Sequence, residues 1–170
     1  GFVAFDGDDI YWLEGRPQEG GRNVLVRRAA DGTVADLTLP EHNVRSRVHE
    51  YGGGAYVVSN GVAYYSNFTD QRIYRTGGSR TSGGSRGAST SGDAGPPEPV
   101  TPEGKWFYAD ATVDERRRRL ICVREDHTHE GREPVNTLVS IPLDGDPNAG
   151  HVIASGYYFY STPRLSPDGS

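Results

Sequence analysis

One pattern returns along this chain and limits what it can fold into: a β-type run, a tight turn, a second β-type run, then one or two more. Residues 2–5 and 10–13 flank Asp6-Gly7-Asp8-Asp9, and residues 23–28 and 33–39 flank Asp31-Gly32. Residues 55–58 and 62–67 flank Asn60-Gly61, the dipeptide that best closes a two-residue hairpin, and residues 72–75 follow. Residues 107–113, 120–126 and 136–143 repeat the order around Asp114-Glu115 and end at Asp144-Gly145. The second runs begin at Ile10, Val62 and Leu120, which are 52 and 58 residues apart. Setting aside the twenty residues 76–95 shortens the second interval to 38. That period matches a four-stranded propeller blade, about 40 to 50 residues. The fold class expected is therefore all-β, a partial β-propeller with about three four-stranded blades. Residues 157–160 and 163–166 are read as the start of a fourth.

Composition agrees. Gly 23 and Pro 11 in 170 residues punctuate the chain too often for long helices. The span 76–95 holds seven Gly, five Ser and three Thr and reads as a flexible insertion. A net charge of -5 argues against a nucleic-acid partner, and no run of 18 apolar residues argues for a membrane span. The single Cys122, inside Leu120-Ile121-Cys122-Val123, reads as a buried strand thiol and excludes a disulfide scaffold. No Met occurs, and the sequence stops within Ser166-Pro167-Asp168-Gly169-Ser170, a turn signal. Residues 1–170 are thus expected to be an incomplete propeller taken from a longer chain. Three blades and a fraction fall short of the four to eight that close a propeller.

Several strings carry candidate chemistry. Gly83-Gly84-Ser85-Arg86-Gly87 matches Gly-x-Ser-x-Gly literally, but a nucleophile elbow needs a strand before the serine and a helix after it. Ser85 lies inside the Gly/Ser run, so no catalytic residue is assigned in this chain. Asp126-His127-Thr128-His129-Glu130 sets two imidazoles two apart, a spacing able to face one metal, yet it reads as an exposed hairpin loop. No metal and no cofactor are expected. Arg116-Arg117-Arg118-Arg119 reads as a solvated turn after Asp114-Glu115, and Asn67-Phe68-Thr69 fits the glycosylation acceptor pattern. The densest set of functional side chains is Arg45-Ser46-Arg47-Val48-His49-Glu50-Tyr51-Gly52-Gly53-Gly54. There Glu50 could pair with a peptide α-ammonium group, and Arg45 or Arg47 with a carbonyl or carboxylate. The alternative is structural, with Glu50 pairing an Arg at an inter-blade junction and the glycines allowing close packing. Arg45, Arg47, His49, Glu50 and Tyr51 are the candidate substrate-binding residues.

Taken together, Tyr11-Trp12-Leu13-Glu14-Gly15-Arg16-Pro17, Gly21-Arg22-Asn23-Val24-Leu25-Val26 and the run from Asn43 through Tyr56 resemble the N-terminal propeller of prolyl oligopeptidase-family serine peptidases. Val62-Ala63-Tyr64-Tyr65-Ser66-Asn67, Val123-Arg124-Glu125-Asp126-His127 and Ser161-Thr162-Pro163-Arg164-Leu165-Ser166-Pro167-Asp168-Gly169 match in order, which points to the dipeptidyl aminopeptidase and acylaminoacyl peptidase branch. The resemblance implies a propeller that gates an α/β-hydrolase domain lying after residue 170, with short peptides as substrates cleaved near their N-termini. Its partners would be those peptides and its own hydrolase domain, and oligomerisation is left open. The competing expectation is a non-enzymatic propeller serving as a protein or carbohydrate interaction platform.

Overall fold

The computed structural model describes residues 2–78 and 95–168. Twelve strands are present among them: β1 (Val3–Asp6), β2 (Asp9–Arg16), β3 (Arg22–Arg28), β4 (Val34–Asp36), β5 (Tyr56–Ser59), β6 (Val62–Ser66), β7 (Ile73–Gly77), β8 (Glu98–Pro99), β9 (Trp106–Asp114), β10 (Arg119–Asp126), β11 (Val135–Pro142) and β12 (His151–Ala154). They form three antiparallel four-stranded meanders, β1-β2-β3-β4, β5-β6-β7-β8 and β9-β10-β11-β12. A single 3-10 turn, Pro17–Glu19, is the described helical element. The turns obey their residues. Ser59 pairs with Val62, and Asn60 and Gly61 between them have φ 52° and 75°, the left-handed pair a type I′ hairpin demands.

The first strands of successive sheets are neighbours: β5 lies against β1 on one side and β9 on the other. The sheets fan out from that line as blades do. Alternation along the strands gives the sheets apolar faces, and two layers between successive sheets are filled by them, while Val3, Phe5 and Val34 of the first sheet and Val135, Val152 and Ile153 of the third stay exposed. Tyr11, Leu25, Val44, Tyr56 and Tyr65 form the layer between the first and second sheets. Tyr64, Ile73, Tyr108, Leu120, Cys122, Val139 and Ile141 form the layer between the second and third. Each such side chain contributes roughly 1.5–3 kcal/mol on burial. Buried tyrosines also need hydroxyl partners. Tyr56 donates to the Tyr11 carbonyl at 3.1 Å, and Tyr108 donates to the Ala149 carbonyl at 3.2 Å. Burial pushes the Tyr11 and Tyr56 hydroxyls up to about 12. The Cys122 thiol, fully buried as its strand setting implied, is also pushed up to about 12.

Differences from the sequence expectation lie at the outer edges. The fourth strands β8 and β12 were not read from sequence. β8 is two residues long and includes Pro99, so it carries almost no strand signal. β12 follows the turn-rich stretch 144–150, which masks its onset. Residues 157–160 and 163–166 form no strand. Tyr157, Tyr158 and Phe159 are exposed, since β propensity becomes a strand only where a partner edge supplies hydrogen bonds. Of the run 76–95, Thr76 and Gly77 close β7, and residues 79–94, Ser85 included, lie outside the described residues.

Candidate functional site

The link between the first and second sheets carries the site. Within it the backbone of residues 47–52 turns sharply: Glu50 N–H donates to the Arg47 carbonyl at 2.8 Å, and Gly52 N–H to the Val48 carbonyl at 2.9 Å. His49 and Glu50 both take left-handed conformations, φ 55° and 64°. Two consecutive side-chain-bearing residues there cost about 1–2 kcal/mol each, so surrounding bonds must impose the shape. They come from the third sheet. Glu125 of β10, buried, accepts the His49 N–H at 2.9 Å, and Asn136 of β11 holds the His49 ring Nε2 at 3.1 Å. The glycines after the turn are packing requirements. A Cβ at Gly53 would lie 3.0 Å from that of Ala109, and one at Gly54 3.0 Å from Asp110 Oδ1. At Gly52, φ 84° and a Ser46 carbonyl 2.8 Å from any Cβ exclude a side chain.

This turn forms one wall of a cavity of about 700 Å³. Arg47, His49, Glu50 and Tyr51 line it from the link, facing Phe107, Glu125 and Asn136 of the third sheet, His127, Glu133 and Pro134 of the β10–β11 connection, and Tyr158 and Phe159 from the far end. The second oxygen of Glu125 meets His127 Nε2 at 3.1 Å, so one buried carboxylate fixes both the backbone of His49 and the ring of His127. Phe159 packs edge-on against His49 at 4.9 Å between centroids, and His127 lies 4.1 Å from Phe107. The lining combines aromatic walls, carboxylates at Glu50 and Glu133 and a guanidinium at Arg47, groups able to meet apolar side chains, a cation and an anion. A second cavity of about 460 Å³ shares Arg47, Phe107 and His127 and continues toward Asp70, Glu103 and Lys105. A third, about 720 Å³, is lined among others by Tyr64, Arg75, Glu98, Arg118 and Asp144.

No family model and no curated protein matches this chain. Solved structures do. A variant of puromycin hydrolase complexed with PGG matches at 32% identity and TM-score 0.82, over 98% of this chain and 26% of that one. A puromycin-hydrolysing peptidase of Mycobacterium tuberculosis matches at 31% identity and TM-score 0.80, over 99% of this chain and 26% of that one. Another structure of puromycin hydrolase agrees, at 32% identity and TM-score 0.82. The chain is a β-propeller segment of the prolyl oligopeptidase kind. It spans about a quarter of the length of the peptidases it matches.

In this propeller segment, four of the five candidate residues, Arg47, His49, Glu50 and Tyr51, share one cavity, and Arg45 stands outside it. Glu50 pairs with neither Arg; among the described residues its carboxylate has no partner, and both guanidiniums stack on Phe68. The two imidazoles of residues 127 and 129 part: His127 joins the cavity, whereas His129 is exposed in the following turn. The Arg116–119 run is a turn braced by carboxylates, with Arg117 and Arg119 on Asp114 and Arg118 on Asp144. Burial opposes ionisation of Asp114, but hydrogen bonds from Arg119 and Arg117 hold its carboxyl below the usual range. Asn67, in the glycosylation pattern, is buried and spent on the Asn43 N–H and the Asp70 carboxylate, so it offers no acceptor. Sequence reasoning missed Glu125 and Asn136 as parts of the site. A carboxylate at Glu125 in an otherwise covered strand was the available signal, because a buried charge requires partners.

Proposed function

We propose that this chain is the non-catalytic, substrate-gating propeller of a serine peptidase that hydrolyses short peptides near their N-termini. One observation carries the reading: 98% of the chain matches puromycin hydrolase at 32% identity and TM-score 0.82. The cavity supports it. Glu50, with no internal cation, suits the α-ammonium group of a peptide, and the aromatic walls suit the side chain beside it. The catalytic serine, histidine and aspartate belong to an α/β-hydrolase domain outside these residues, where the serine attacks the scissile carbonyl and water releases the acyl-enzyme. The test is hydrolysis of free-amino and blocked dipeptide chromogenic substrates by the full-length protein, with and without a serine-directed covalent inhibitor. Inhibitor-sensitive cleavage is expected, with Glu50→Gln raising KM for free-amino substrates and leaving blocked ones unchanged. Absence of cleavage would move the assignment to an interaction platform.

A further inference from the structure

Most arginines of this chain whose surroundings are described are bonded to carboxylates: Arg16, Arg22, Arg27, Arg72, Arg75 and Arg119 among them. Arg45 and Arg47 differ. Their guanidinium carbons lie 4.9 and 4.7 Å from the centroid of one ring, that of Phe68, and neither is paired with an acid. Two like charges gathered on one aromatic ring repel one another unless an anion joins them, although the ring quadrupole offsets part of the cost.

The arrangement is built from below. Gln71, buried and left-handed at φ 59°, accepts the Arg47 N–H through Oε1 at 2.8 Å and donates through Nε2 to the Phe68 carbonyl at 2.7 Å. One buried amide thus fixes the backbone of Arg47 relative to the residue its side chain stacks on. Arg45 N–H donates to the Ser66 carbonyl at 3.1 Å, and Phe68 N–H to the Asn43 carbonyl at 2.8 Å, so the other two backbones are tied as well. Of the acids that share a cavity with Arg47, Asp70 and Glu103 have other partners, and Glu50 and Glu133 pair with neither guanidinium. Asp70 accepts from Asn67 and the Tyr74 hydroxyl, and Glu103 lies 3.5 Å from Arg72. Arg47 lines both the 700 Å³ and the 460 Å³ cavities, so its free donors face space that a ligand can enter.

We propose that Arg47, which lines both cavities, and Arg45, which stands outside them but shares the Phe68 ring with it, form a carboxylate-recognition site beside those cavities, taking peptides that carry a free α-carboxylate or an acidic side chain. This rests on the peptide-gating reading and gives its substrate class: Glu50 takes the cationic end and the arginine pair the anionic one. Guanidinium donors in a fixed fork suit a carboxylate better than a neutral carbonyl, and preorganisation by Phe68 and Gln71 removes part of the ordering cost.

The test is calorimetric binding to the full-length protein after serine-directed inhibition, so that cleavage does not interfere. The probes are Gly-Gly-Gly as the free acid, its C-terminal amide, and Gly-Glu-Gly amide. A preference of about tenfold for either carboxylate-bearing peptide over the triglycine amide is expected. The free acid alone being preferred identifies the α-carboxylate, and Gly-Glu-Gly amide alone identifies the side chain. Arg47→Gln and Arg45→Gln should erase the preference while amide binding persists, and Arg47→Lys should retain part of it. Equal binding of all three peptides, or a preference that survives both Gln variants, would overturn the proposal. A protein that cleaves peptides yet shows no such preference refutes this inference alone. A protein that prefers carboxylates but cleaves nothing refutes the peptidase reading instead.

Discussion

Replacing Gly54 by Ala tests whether the site-bearing link is locked to the third sheet by Asp110. The φ of Gly54 is outside the left-handed region, so Ala meets no backbone penalty and should gain about 0.4–1 kcal/mol by restricting the unfolded chain. Against this, the new Cβ sits 3.0 Å from Asp110 Oδ1 and 3.6 Å from its Cα. That oxygen cannot swing aside freely. It accepts the Gly54 N–H at 2.5 Å, its sister oxygen accepts the Thr162 N–H at 3.1 Å, and the Asp110 N–H donates to the Gly54 carbonyl at 2.8 Å. Displacing it forfeits a charge-assisted bond worth about 1.5–3 kcal/mol, toward the lower end at this exposed position. The net expectation is a loss of about 1 kcal/mol. In an Asp110→Gly background the clash and the bond are both gone, so Gly54→Ala should become neutral or stabilising, a coupling of about 1.5 kcal/mol. Urea unfolding of the four proteins, followed by tryptophan fluorescence, measures it. Equal effects of Gly54→Ala in both backgrounds would show that Asp110 does not hold the link.

Two further outcomes follow from single side chains. Glu125→Ala strands the His49 N–H and releases the left-handed turn, costing about 2 kcal/mol in urea unfolding, whereas Glu125→Gln keeps an oxygen for that N–H and should lose less than half as much; equal losses would refute the bond. His42, hydrogen-bonded to the Tyr65 hydroxyl at 2.7 Å, has its pKa held below the ordinary imidazole value by burial, against the opposing pull of Glu41 and Asp70. Its depressed folded value means the unfolded chain binds the proton more readily, so the stability contributed is full above about pH 6.5 and falls as the pH drops through the window below it. His42→Gln should flatten that part of the stability-pH curve, and an unchanged slope would remove His42 as its source.

What the sequence showed and what it hid divide along interaction range. Asn60-Gly61 and Gly7 announce their hairpins because the left-handed region is a local property of the residue. Leu120, Cys122, Val139 and Ile141 announce a covered face because alternation is local too. The link 45–54 was legible as a concentration of chemistry, and four of its residues do share a cavity. What holds them was not legible. Glu125 is 76 residues from His49 and Asn136 is 87, so no window of sequence pairs them. Glu50 and the arginines, three and five residues apart, invited an ion pair that does not form: Glu50 lines the cavity while Phe68 takes both guanidiniums. β8 and residues 157–166 mark the same limit, where partner edges rather than propensity decide what is a strand.

The link therefore joins the first sheet to the second in sequence but is fastened to the third in space, by Asp110 of β9, Glu125 of β10 and Asn136 of β11. Such bonds close loops of more than fifty residues, a cost that grows only slowly with length once the sheets are in place. Before the third sheet packs, nothing imposes the left-handed pair at His49 and Glu50, which the isolated link would avoid. The pocket is thus a product of blade assembly and not of the segment that carries its side chains. Alterations deep in β10 should act on Glu50 and Arg47 without touching them, whereas alterations in the outer strands β4 and β8, remote from the link's three anchors, should leave the pocket intact.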